Sequence, residues 1–243
     1  MATDGRTEDH PRTAGASAVA PVGTTAIALY SDPRCPWARI TVHRLLATAE
    51  RQGVGSELCV DHRWFPLDDD ALPAGGDALD RHLAALRALQ PAVDWHRWAG
   101  SGDTFPGSSR LAAAWVQGAK RVSPAAAVAL DRAVREALFS DGRDVSDESV
   151  LTAVSEGVSE VDVDVVRREV ASGRADDELD HHAELTGSEL VPASPTLVLT
   201  DGTTWTNPGI EFHSEDGVPV VDADDPGVFD EIVEAFLALR HFD

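Results

Sequence analysis

The chain is short of several residue types, and each shortage narrows what it can be. Of 243 residues only two are cysteine, Cys35 and Cys59, too few for a disulfide framework. Lysine occurs once, at Lys120, and Lys plus Arg number 20 against 42 Asp plus Glu. The net charge of −22 argues against a nucleic acid or an anionic membrane as partner, since both call for clustered cations. Apolar runs fall far short of the ~20 residues of a membrane span, and no basic segment followed by an apolar stretch marks a secretory leader. A reducing cytoplasm is the expected setting, and the preference for Arg and Ala over Lys suits a high-GC bacterial genome. No Gly-x-Ser-x-Gly elbow and no phosphate-cradling glycine motif occurs. The histidines lack metal-ligand spacing, so no metal is expected.

What is present is a chain long enough for one large domain or a core with a sizeable insertion, and 43% hydrophobic. Residues 1–23 lack periodicity and read as a disordered tail. Thr25–Tyr30 is a compact apolar strand, and a helix is expected over Cys35–Gln52, with Ile40, Val42, Leu45, Leu46 and Ala49 near one face and Gly53 as its stop. Glu57–Phe65 alternates and ends at Pro66, a second strand. A strand–helix–strand order implies two parallel strands. Helices follow over Ala78–Leu89, Pro106–Arg121, Pro124–Phe139, Glu148–Glu156, Val163–Ala171 and Ala175–Leu185. Thr196–Thr200 and Thr203–Thr206 then flank an Asp201-Gly202 turn, and a last helix spans Pro226–Arg240. The acidic runs read as solvated loops and helix ends.

The chemistry concentrates in Tyr30-Ser-Asp-Pro-Arg-Cys-Pro-Trp-Ala-Arg39. It places the Cys35 thiol at a helix start, where backbone N–H groups and the helix dipole favour a thiolate. Pro36 suits the first helical turn. A depressed Cys35 pKa is the expectation; the plain alternative is a packing cysteine. Trp37 is either a cover for the site or core. Asp32 and Arg34 flank the thiol with opposite charges, or Asp32 shapes the turn. Ala38 stands where a dithiol motif has its second cysteine. Cys59 does not replace it: parallel strands would hold the two thiols roughly 15 Å apart at ~3.3 Å per residue. His181 and His182 point about 100° apart on a helix and do not chelate, though one could approach the thiol.

With Asp32-Pro-Arg-Cys35-Pro-Trp37 at a helix start and Val191-Pro-Ala-Ser-Pro195-Thr-Leu-Val-Leu199 before a strand, the chain resembles the DsbA-like branch of the thioredoxin superfamily. The resemblance extends to FrnE-like oxidoreductases, mycothiol-dependent reductases and 2-hydroxychromene-2-carboxylate isomerases. It covers roughly residues 25–240 and implies an α/β fold, a thioredoxin-like βαβ–ββα core with a large all-helical insertion between the second and third strands. The corresponding division is 24–67 and 187–243 for the core and 68–186 for the insertion. The resemblance implies that Pro195 is a cis-proline facing Cys35 and that Ser194 touches whatever Cys35 attacks. Pro36, Trp37 and Arg110 complete the implied substrate contacts. It implies a thiol–disulfide oxidoreductase, but Ala38 removes internal resolution of a mixed disulfide. The expected mechanism uses one nucleophilic cysteine and an external low-molecular-weight thiol, mycothiol or glutathione, as co-substrate rather than a tightly bound cofactor. The partner is a small thiol or a disulfide-bearing substrate. The alternatives are a non-redox thiol-cofactor transferase or isomerase, like the kappa-class glutathione transferases, and a non-catalytic binding module.

Overall fold

A computed structural model of the chain describes residues 26–68, 76–96, 108–215 and 218–240; the tail read at 1–23 lies outside them. The first strand, β1 (Ile27–Ser31), is buried at every position, as a central strand covered on both faces must be. Ile27 and Leu29 join one apolar cluster, whereas Ala28 and Tyr30 join another, the two-residue alternation of a strand. Helix α1 (Pro36–Arg51) follows, then β2 (Val60–Trp64), parallel to β1 in the register Ile27↔Val60 to Ser31↔Trp64.

Between β2 and the third strand the described residues form six helices: α2 (Gly76–Leu89), α3 (Arg110–Lys120), α4 (Pro124–Phe139), α5 (Glu148–Glu156), α6 (Val163–Ala171) and α7 (Arg174–Ala183). The starts of α4, α5 and α6 follow from side chains that satisfy orphan N–H groups: Ser123 accepts from Ala126 N, Asp147 from Ser149 N and Asp162 from Val165 N. Strands β3 (Thr196–Val198) and β4 (Thr204–Thr206) then extend the sheet, antiparallel, in the order β2-β1-β3-β4. The architecture is the expected α/β one, a βαβ–ββα core with an all-helical block between β2 and β3.

Two features differ from the sequence reading. After β4 the chain forms a separate antiparallel ribbon of β5 (Ile210–Glu215) and β6 (Val218–Asp224) before the last helix, α8 (Val228–Arg240). Nothing in the sequence reading placed strands there, because Pro219 within the run argues against a strand; a two-stranded ribbon has only edges and tolerates it. The ribbon closes at Gly209, whose φ is +73° and whose carbonyl accepts from Asp225 N at 2.7 Å. The second difference is α1, which has no single buried face. Ile40 joins the cluster of the helical block, while Val42 and Leu45 pack with α8 residues Phe229, Ile232, Val233 and Phe236. The helix is sandwiched between insertion and core.

Candidate functional site

Cys35 is the N-cap of α1, with extended backbone (φ −74°, ψ 114°) and Pro36 in the first helical turn. The loop before it is held by Asp32, whose side chain is completely buried. Its carboxylate accepts from Arg34 N at 2.7 Å, Leu67 N at 2.9 Å and Ser109 Oγ at 2.8 Å, and pairs with the Arg34 guanidinium at 3.3 Å. Asp32 therefore shapes the turn and also ties it to the start of α3. The Asp32 N–H donates to Ser194 Oγ at 3.1 Å, which joins the loop to the segment before β3.

The Ser194–Pro195 peptide bond is cis, the conformation that the resemblance implies. The Cys35 thiol donates to the Ser194 carbonyl at 3.3 Å. The structure thus brings Cys35, Ser194 and Pro195 together across a separation of more than 150 residues. Pro36 and Trp37 are buried beside them in α1. Trp37 stacks on Phe212 of the ribbon, with ring centroids 4.4 Å apart and planes at 12°, and lies 5.9 Å from the His82 ring of α2.

The electrostatics correct one expectation. Cys35 is 2% exposed, and burial pushes its pKa above the ordinary thiol value. Hydrogen bonding from Ser194 and the Ala38 backbone, and the charge of Arg135, pull it back down, while Asp32 adds to the rise. A helix start favours a thiolate only while the sulfur keeps some hydration; loss of that hydration wins here.

The cation acting on the thiol is thus Arg135, from α4. Its Nη1 donates to the Asp32 carbonyl at 2.9 Å and lies 3.4 Å from that of Cys35; its Nη2 donates to Ser31 Oγ at 2.8 Å. Asp131, one turn earlier, accepts from Nε at 2.8 Å and Nη2 at 3.0 Å. The sequence does carry a signal for this pair, two charged residues four apart amid Leu130, Val134 and Leu138, on the buried side of α4.

Arg110 is not gathered into this cluster. Its guanidinium binds Asp176 and Asp180 of α7, both at 2.8 Å, and lies over the Trp64 ring; its neighbour Ser109 reaches Asp32 instead. The two α7 histidines also diverge. His181 is exposed and pairs with Glu184 at 3.3 Å, whereas the buried His182 accepts from Trp64 N through Nδ1 at 3.3 Å. Burial lowers His182 to a pKa of about 3, so it stays neutral. Both cysteines are free. Cys59 precedes the first register pair of β1 and β2, at the end opposite Cys35. Among the described residues no group of three or more His, Cys, Asp and Glu is arranged to hold a metal ion, and no helix is long and apolar enough to cross a membrane.

The cytosolic disulfide reductase DsbM from Pseudomonas aeruginosa aligns over 88% of this chain and 99% of its own, with a TM-score of 0.58 and 17% identity. The chain shares its fold with this reductase. A 2-hydroxychromene-2-carboxylate isomerase aligns with a TM-score of 0.55 at 18% identity, over 89% of this chain and 95% of its own. A probable DsbA oxidoreductase from Streptomyces coelicolor aligns with a TM-score of 0.55 at 20% identity, over 88% and 90%. No family model matches the sequence, and no curated protein matches it.

Proposed function

We propose that this protein is a thiol–disulfide oxidoreductase that uses Cys35 as its single nucleophile and an external low-molecular-weight thiol for resolution. The observation that carries this reading is the meeting of the Cys35 thiol with the Ser194 carbonyl beside cis-Pro195. An incoming sulfur bound along that backbone would lie against the thiol. DsbM, a disulfide reductase of the same fold, has also been solved with GSH, which supports a glutathione- or mycothiol-like co-substrate and a cytoplasmic setting.

In the proposed cycle Cys35 loses its proton to solvent, and the thiolate attacks a disulfide. A bond from Cys35 Sγ to one substrate sulfur forms, the substrate S–S bond breaks, and the other sulfur leaves as a thiolate. Ala38 offers no second thiol. A small external thiolate therefore attacks the mixed disulfide, takes the substrate sulfur into a new disulfide and returns Cys35 as thiolate. Ser194 and Pro195 align the partner, Pro36 fixes the helix start, and Trp37 walls the site.

Intact-mass measurement after exposure to glutathione disulfide tests this reading. One glutathione adduct on Cys35, reversed by excess thiol and missing from Cys35→Ser, is expected. Absence of an adduct on Cys35 under conditions that modify a free cysteine peptide would sink the proposal.

One observation favours a second reading. Burial holds the proton on Cys35, and a neutral thiol is a hydrogen-bond donor suited to a bound cofactor sulfur in a non-redox transferase or isomerase. In that case Cys35→Ser would keep much of its turnover, since a hydroxyl also donates; the redox reading requires near-complete loss.

A further inference from the structure

We propose that Arg135 is a positioning residue for the Cys35 thiol, acting from α4 on the backbone of the loop that carries it. This rests on the reading of Cys35 as the reacting thiol. Arg135 is 1% exposed and spans the loop: Nη1 donates to the Asp32 carbonyl and lies 3.4 and 3.5 Å from the carbonyls of Cys35 and Pro33, while Nη2 donates to Ser31 Oγ. The Asp32 carbonyl also accepts from Cys35 N at 2.9 Å, so one guanidinium fixes the turn whose last residue presents the sulfur. A planar, multidentate cation suits a site where several acceptors must be met from one side.

The charged and titratable groups around the thiol divide by element. From its own loop come Asp32 and Arg34, which pair with each other at 3.3 Å. From α4 come Arg135 and Asp131. From β2 comes His62, whose Nδ1 lies 3.6 Å from Asp131 Oδ1 and which burial keeps neutral. Burial works to raise the Asp131 carboxyl, but the Arg135 guanidinium outweighs it and holds it ionised. Arg135 thus draws the thiol toward thiolate, while Asp131, bound to the same guanidinium through Nε and Nη2, offsets part of its charge. Removing one or the other moves the thiol in opposite directions, which a purely packing role does not do.

The test measures iodoacetamide alkylation of Cys35 between pH 7.5 and 9 in a Cys59→Ser background, so that one thiol reports. Arg135→Met is expected to slow alkylation about tenfold at a given pH, equivalent to one pKa unit, and Asp131→Asn to accelerate it about threefold. Arg135→Lys, which keeps the charge but not the span, falls between wild type and Arg135→Met. Changes of the same sign in Arg135→Met and Asp131→Asn, no change in either, or the reverse signs would overturn the proposal. Far-UV circular dichroism and urea midpoints establish that each variant is folded. If Arg135→Met does not fold, Asp131→Asn decides alone: acceleration supports the assignment, and slowing or no change overturns it. The pH dependence of alkylation reads thiol acidity without disulfide exchange. Opposite shifts together with a wild type that forms no glutathione adduct would therefore leave Arg135 in its role and remove the oxidoreductase reading.

Discussion

At Cys35 two effects oppose each other, and their balance sets how the thiol behaves. The α1 N-terminus, the Ala38 N–H and Arg135 favour the thiolate, yet the sulfur is almost wholly out of water, and burial raises its pKa. The rate of alkylation is therefore expected to keep rising through pH 9 in the folded protein; a plateau at or below about 8.5, the free-cysteine value, would contradict the balance drawn here. Ala38, also fully buried, invites the complementary change. Ala38→Cys places two thiols three residues apart at the helix start, and after oxidation intact mass should show loss of two hydrogens in place of a persistent glutathione adduct. Cys35 was legible in the sequence because its signal is local, Cys-Pro at a helix start; Pro195 came only through the resemblance, and the structure has its cis bond beside the Cys35–Ser194 contact. The role of Arg135 was not, because it depends on α4 crossing back to a loop 100 residues earlier. Nor did local pattern reveal that Ser109, rather than Arg110, reaches Asp32.

Among the elements, legibility tracks the caps. Helices α4, α5 and α6 have the bounds read from sequence, since Ser123, Asp147 and Asp162 announce each start through short-range hydrogen bonds. The core strands were found with ends off by a residue or a few, because strand limits depend on pairing partners that sequence does not locate. The β5–β6 ribbon was missed: β5 buries only Ile210, and β6 carries Pro219. What holds the ribbon is a close backbone approach. A Cβ at Gly209 would lie 2.1 Å from the Asp225 carbonyl oxygen. Gly209→Ala combines that clash with an unfavourable φ, so a loss of about 2 kcal/mol or more in urea unfolding is expected. Because Phe212 of this ribbon stacks on Trp37, the same variant should also speed alkylation of Cys35.

For the molecule as a whole, histidines buried in the uncharged form set the acid response. His182 has a folded-state pKa of about 3 against 6.5 for an ordinary histidine. The unfolded chain therefore binds the extra proton first, and stability present above pH 6.5 is lost as pH falls toward 3. His82, lowered to about 4 by burial, adds to the loss over the upper part of that window. Urea unfolding measured from pH 6.5 to 4.5 should show stability falling by about 1 kcal/mol per pH unit from His182 alone. His182→Gln should flatten the slope; an unchanged slope would place the acid sensitivity elsewhere.

The loop that carries the thiol is completed from far along the chain, by Arg135 and then by Ser194, which follows Cys35 by 159 positions. During synthesis at about 5–20 residues per second, the thiol leaves the ribosome on the order of ten seconds before the backbone that covers it. For that interval it is an ordinary solvent-exposed cysteine, more acidic than in the finished fold and open to any oxidant or disulfide it meets. Closure of the site thus waits for the β3 segment, and a nascent chain modified at Cys35 in that interval would have to seat that segment against an occupied sulfur.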